Sequence, residues 1–125
     1  MLSDGGGEMK KILIVEDQKS LCLLYEEELT KEGYEVVAVN DADSGLEALQ
    51  KTQFDLIITD IRMPGRDGIE LITQIMGLRK DIPIIINTAY QSYKGDFMTW
   101  AADAYVVKSS SLRELKAKIK ELLKK

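Results

Sequence analysis

From Met9 onward, short apolar runs alternate with stretches whose leucines and isoleucines recur at helical spacing, and few folds accommodate that rhythm. Lys11-Ile12-Leu13-Ile14-Val15 is rich in β-branched residues and lacks polar alternation, as expected of a strand covered on both faces. Leu21, Leu24, Tyr25, Glu28 and Leu29 follow on a helical stripe, and Gly33 is placed to end that helix at C′, where a left-handed backbone costs glycine little. Glu35–Val39 reads as a second strand, Asn40–Ser44 as a turn supplying a helix cap, and Leu46 and Leu49 as the start of the next stripe. Phe54–Ile58 predicts a third strand, and Met63–Gly68 is punctuated as a loop by Pro64, Gly65 and Gly68. Ile69, Leu71, Ile72, Ile75 and Met76 mark a third helix. Ile82–Ile86 predicts a fourth strand, with Pro83 tolerable near its start, and Ala104–Val107 a short fifth one. Leu112, Leu115, Ile119 and Leu122 make the closing helix amphipathic.

Strands alternating with helices across short connections predict an α/β doubly wound domain, with a parallel sheet, right-handed crossovers and helices on both faces. At 125 residues the chain is long enough to bury a core without metal or disulfide staples. Residues 9–125 form one expected domain, and residues 1–8, with Gly5-Gly6-Gly7, read as a flexible leader or expression remnant. The single cysteine, Cys22, allows no intramolecular disulfide and reads as a small core residue of the first helix. No run has the length of a transmembrane helix and the N-terminus lacks a signal-peptide core, so a cytoplasmic protein is expected.

In doubly wound sheets ligands bind beyond the carboxyl ends of the strands, so the residues that follow each apolar run should carry the chemistry. Glu16 and Asp17 follow the first strand, Asp60 the third, Asn87 and Thr88 the fourth, and Lys108 the fifth. Taken singly, an acidic pair after a strand is ordinarily a helix cap, a threonine a turn hydroxyl and a lysine a solvated charge. Their convergence on one edge is a different matter. Carboxylates crowded together repel one another, and a divalent cation relieves that conflict. With oxygen ligands only and no histidine in the chain, a hard ion such as Mg²⁺ is expected rather than zinc. Mg²⁺ shares its shell readily with phosphate, and a lysine opposite it would stabilise the remaining phosphoryl oxygens. Phosphoryl transfer asks a protein mainly for positioning and charge neutralisation. Asp60, central in the sheet and followed by an open loop, is the expected nucleophile, becoming an aspartyl phosphate.

The net charge of −4 opposes binding to phosphate backbones and anionic headgroups, so neither nucleic acid nor membrane is an expected partner. The acidic balance also makes Tyr93, Phe97 and Trp100 core or interface aromatics rather than a platform for stacking nucleotides.

The motifs Ile12–Asp17, Asp55–Gly68 around Asp60, Asn87–Tyr90 and Ala104–Lys108 together resemble the receiver domains of two-component response regulators, in order and over nearly all of the chain after Met9. The resemblance implies a flavodoxin-like five-stranded sheet of order 2-1-3-4-5. It implies a phosphoryl group taken by Asp60 from a histidine kinase or a histidine phosphotransfer protein, and passed or signalled to a downstream protein. Asp17 would bind Mg²⁺ directly, Glu16 through water and Arg62 through its backbone carbonyl, with Asp60 completing the set. Thr88 would hydrogen-bond the phosphoryl group, and Tyr105 would swing inward in the active state. That swing would alter the surface formed by the helix over Tyr90–Ala102, strand five and the closing helix. The domain would catalyse its own phosphorylation and dephosphorylation rather than act on a separate substrate. With Lys125 directly after the closing helix, a stand-alone domain is expected.

Two departures from the family pattern carry expectations of their own. Ser109 stands where the family usually has proline after the lysine, which predicts a trans Lys108–Ser109 bond and a looser loop. The Tyr90–Ala102 segment has Gly95 in mid-course and a poor helical pattern before Asp96, which predicts a short helix capped by Asp96. Among rivals, a pseudo-receiver that binds partners without phosphorylation is opposed by the complete set Glu16, Asp17, Asp60, Thr88 and Lys108. A haloacid-dehalogenase-like phosphatase would want an acid two residues after Asp60, where Arg62 stands, and a dinucleotide-binding domain would want a glycine-rich turn after strand one.

Overall fold

The computed structural model describes residues 9–60, 62–63, 66–78, 81–89, 102–109 and 111–124. Strands β1 (Lys11–Val15), β2 (Glu35–Val39), β3 (Leu56–Thr59), β4 (Ile84–Thr88) and β5 (Ala104–Val107) pair in parallel, in the order β2-β1-β3-β4-β5. Among the described residues, helices α1 (Lys19–Lys31), α2 (Ala42–Lys51) and α3 (Gly68–Leu78) and a C-terminal helix (Arg113–Leu123) cover the sheet. None of them is long and apolar enough to cross a membrane. This is the flavodoxin-like arrangement, whose strand order reverses between β1 and β3.

The uninterrupted apolar runs are explained by two cores. Leu13, Val15, Ile57, Ile84 and Ile86 face Leu49 of α2 and Leu71, Ile72 and Ile75 of α3. Their sequence neighbours Ile12, Ile14, Leu56, Ile58 and Ile85 face Tyr25 and Leu29 of α1 and Leu115 and Ile119 of the C-terminal helix. Strand residues of either parity are therefore buried, and each large aliphatic side chain contributes about 1.5–3 kcal/mol. β2, on the edge, is only half-buried.

Local chemistry sets the helix ends. After α1, Gly33 takes φ 98°, the Gly33 N–H reaches the Thr30 carbonyl (3.0 Å) and the Tyr34 N–H reaches the Leu29 carbonyl (3.2 Å), a Schellman closure. At the start of α2 the Asp41 carboxylate accepts the Ser44 N–H at 2.7 Å. α2 thus begins at Ala42, inside the segment expected to be a turn, because Asp41 satisfies the amide that would otherwise be orphaned.

β3 and β4 begin two residues later than apolar content predicts. The Asp55 carboxylate accepts the Lys11 N–H (2.8 Å) ahead of β3, while Phe54 and Ile82 are buried outside the strands. At the other end, pairing with β5 carries β4 through Asn87 and Thr88, opposite Val106 and Val107. The expected loop after Asp60 holds a short antiparallel ladder, Arg62 opposite Asp67 and Met63 opposite Arg66, and α3 starts at Gly68. The leader at 1–8 and the short helix expected around Asp96, with Tyr93, Phe97 and Trp100, lie outside the described residues.

Gly45 brings α2 against β1: a Cβ there would lie 2.9 Å from Val15 Cγ2. Alanine would gain about 1 kcal/mol of helix propensity. Val15 is 1% exposed and stiff at χ1, so the clash, worth about 1–3 kcal/mol, is expected to win. Urea denaturation of Gly45→Ala should show a net loss of about 1 kcal/mol, the balance of these two effects; a gain would mean that Val15 yields freely.

Candidate functional site

Glu16, Asp60 and Lys108 each lie one residue beyond a strand, yet their amides continue the ladder. The Glu16 N–H donates to Val39 O (3.0 Å), the Asp60 N–H to Val15 O (3.2 Å) and the Lys108 N–H to Thr88 O (2.7 Å). Strand alternation therefore carries over, and all three side chains fall on the face of Ile14, Ile58 and Val106. Lys108 Nζ sits 2.7 Å from Glu16 Oε1 and 2.6 Å from Asp60 Oδ2, bridging two nearly buried carboxylates. Glu16, Asp17 and Asp60 each present a carboxylate oxygen, all within 4.8 Å of one another. Glu16, Asp17, Asp60 and Lys108, from three separate strand ends, meet here.

Burial pushes the Glu16 carboxyl above its ordinary pKa, and the Asp60 charge adds to that rise; hydrogen bonds from Lys108 and the Gln18 amide pull against it. Burial also opposes the Lys108 ammonium, but hydrogen bonds to Asp60 and Glu16, with their charges, outweigh it and leave Lys108 above its ordinary value. The lysine is thus charged at neutral pH and locked between its partners. The crowding of acids around it favours cation binding. A hard ion fits this all-oxygen set, with Glu16, Asp17 and Asp60 as the residues that could hold it.

The Lys108–Ser109 bond is trans, as expected. At the described residues after it, Ser109 Oγ donates to Ser111 O (2.8 Å), and Ser111 Oγ accepts the Arg113 N–H (3.2 Å). Arg62 lies in the short ladder just after Asp60. Tyr105 is already buried among the residues packed towards α2 and α3.

Thr88 Oγ1 is fully buried and has no hydrogen-bond partner among the described residues. An unsatisfied buried hydroxyl costs about 1–3 kcal/mol, so it marks a place where a further acceptor is anticipated. Thr88→Val should therefore raise stability in EDTA by about 1 kcal/mol, measured by urea denaturation. An unchanged or lowered midpoint would show that the hydroxyl is satisfied.

Sequence reasoning passed over Asn40 and Cys22, which hold the Glu16 backbone, and Tyr25, whose phenol is hydrogen-bonded to the Asn87 side chain. Asn40 was findable by the rule used for the others, since it directly follows β2. Cys22 and Tyr25 were not, because their contacts depend on where α1 docks.

A family model of the response regulator receiver domain matches residues 12–120. The chain belongs to the response regulator receiver domain family. It is the receiver domain of a two-component response regulator. It is 38% identical over 121 residues to the response regulator ArlR of Staphylococcus epidermidis, covering 94% of this chain and 54% of ArlR. The chain thus spans about half the length of the curated relatives it matches. Among solved structures, the response regulator TrrA of Thermotoga maritima in complex with Mg²⁺-BeF is 44% identical, with a TM-score of 0.87, over 92% of this receiver domain and 100% of TrrA. TrrA in complex with the histidine kinase ThkA is similar at 44% identity and a TM-score of 0.85, over 92% of this receiver domain and 99% of that chain.

Proposed function

We propose that this receiver domain is a Mg²⁺-dependent phosphorylation switch charged on Asp60. The observation that carries the reading is the meeting of Glu16, Asp17, Asp60 and Lys108 at one sheet edge. An Asp60 carboxylate oxygen attacks the donor's phosphorus, and the leaving group departs with the electron pair of the broken bond. Asp60 is left as an acyl phosphate. Lys108 is already 2.6 Å from Asp60 Oδ2, so its ammonium can follow the charge onto the phosphoryl oxygens. Thr88 donates a hydrogen bond from its hydroxyl to a phosphoryl oxygen, a partner it lacks among the described residues. Asp17 and Asp60, with the Arg62 carbonyl and with Glu16 through water, would hold Mg²⁺, which would neutralise phosphoryl charge. Hydrolysis by water at phosphorus restores the carboxylate and resets the switch.

The phosphoryl group adds roughly −1.5 to −2 charge at neutral pH, enough to reorder an adjacent loop. The surface changed is that of β5 and the C-terminal helix, with the segment between β4 and β5, through Thr88 and Tyr105. Its donor is a histidine kinase or histidine phosphotransfer protein and its reader a downstream protein. TrrA's complex with a histidine kinase supports the first of these.

Incubation with Mg²⁺ and a small phosphodonor such as an acyl phosphate tests the reading. Intact-protein mass spectrometry should show one phosphate-sized addition, lost when EDTA is present. No addition under any donor would leave a domain that binds partners without being phosphorylated.

A further inference from the structure

The pocket's geometry depends on how the chain leaves β1. Glu16 and Asp17 share one peptide plane, so the direction of the Glu16 carbonyl fixes where the Asp17 backbone, and hence its carboxylate, begins. In the β1–β2 ladder the Glu16 N–H pairs with Val39 O, and the next donor to the Glu16 oxygen would be the backbone N–H of Asp41. The chain turns away there, because Asp41 caps α2. Two side chains take the missing donor's place. Asn40 Nδ2 lies 3.1 Å from Glu16 O, and Cys22 Sγ, from α1, also lies 3.1 Å from it. Asn40 Nδ2 is in addition 3.2 Å from Cys22 Sγ, which ties the two donors to each other.

We propose that Asn40 and Cys22 are positioning residues for the acidic pocket: together they hold the Glu16–Asp17 peptide so that both carboxylates are preset for a hard divalent cation. Two donors fill both lone pairs of one carbonyl oxygen, which leaves the plane little freedom to rotate. The rest of Glu16 is held as well, with Oε1 on Lys108 (2.7 Å) and Oε2 accepting the Gln18 N–H (3.1 Å). Cys22 is 5% exposed, and burial, with the charges of Glu16 and Glu26, keeps its thiol protonated and able to donate. A carbonyl released from both donors would let Asp17 wander, and the cation would have to collect its ligands at an entropic cost.

The inference rests on the pocket being a divalent-cation site, and the experiment separates the two. Calorimetric titration of Mg²⁺ into metal-free protein is compared for wild type, Asn40→Ala, Cys22→Ala, the double variant and Cys22→Ser. The double variant is expected to bind Mg²⁺ about 10-fold more weakly. Cys22→Ser, which keeps a donor, should retain most of the affinity. A merely structural role would lower the melting temperature equally with and without Mg²⁺, whereas a positioning role shrinks the rise that Mg²⁺ produces. If the double variant does not fold, Asn40→Ala alone, at a half-buried site, should still bind several-fold more weakly. Wild-type binding matched within about twofold by the variants would overturn the inference, twofold being worth less than one typical hydrogen bond. Absence of any Mg²⁺ binding by wild type would overturn the metal reading beneath it.

Discussion

Lys108→Ala is expected to lower the melting temperature in EDTA by about 10–20 °C, the largest stability effect of any single substitution at the site. Lys108 bridges Glu16 and Asp60, whose side chains are only 2% and 7% exposed. Removing one partner of a buried ion pair leaves the other charge uncompensated, at a cost of about 3–5 kcal/mol. Here a single truncation strands two carboxylates, with a third, Asp17, close by. The Glu16 carboxyl, already pushed up by burial, should rise further and take up a proton at higher pH. Added Mg²⁺ should recover most of the loss, because it supplies positive charge to the same oxygens. Thermal unfolding with EDTA and with Mg²⁺ reads both effects. A shift of only a degree or two in EDTA would mean that the lysine is a dispensable surface charge.

Asp60→Asn is expected to abolish the phosphate adduct altogether while leaving the fold intact. Asparagine keeps the size of the side chain but offers an amide oxygen, which does not act as a phosphoryl nucleophile. The substitution also removes one negative charge from a crowded set, and Lys108 keeps its 2.7 Å partner Glu16. The variant should therefore melt no more than a few degrees from wild type, corresponding to about 1 kcal/mol. Mass spectrometry after incubation with donor and Mg²⁺ should show unmodified protein only. An adduct of undiminished yield would place the phosphoryl group on another residue and remove Asp60 from the mechanism.

Strand and helix order were legible because burial on both faces demands unbroken apolar runs, and Ile12–Val15 or Leu56–Ile58 can be little else. The ends of those runs were less legible. Phe54 and Ile82 are apolar because they are buried, yet they lie outside the ladder, and Asn87 and Thr88 are polar yet lie within it. Hydrophobicity reports burial, whereas strand limits follow the partner's hydrogen bonds. The site was legible for a related reason: in a doubly wound sheet, functional groups collect just beyond the strands, so Glu16, Asp17, Asp60, Thr88 and Lys108 could be named in advance. What stands beneath that first layer could not, because the sulfur of Cys22 meets the Glu16 carbonyl only through the docking of α1.

The order of its residues determined this protein's two-sided sheet and its strand-end chemistry, since periodicity and spacing are local properties that survive without a fold, while its receiver identity was legible only through the resemblance of its motifs to a known family. Only the tertiary structure decided that Lys108 would bridge Glu16 and Asp60, that the Thr88 hydroxyl would be left without a partner among the described residues, and that Asn40 and Cys22 would grip one carbonyl. These are meetings of atoms from different elements at hydrogen-bond range, where a shift of one ångström changes the outcome. Such distances are set by how whole helices pack on the sheet.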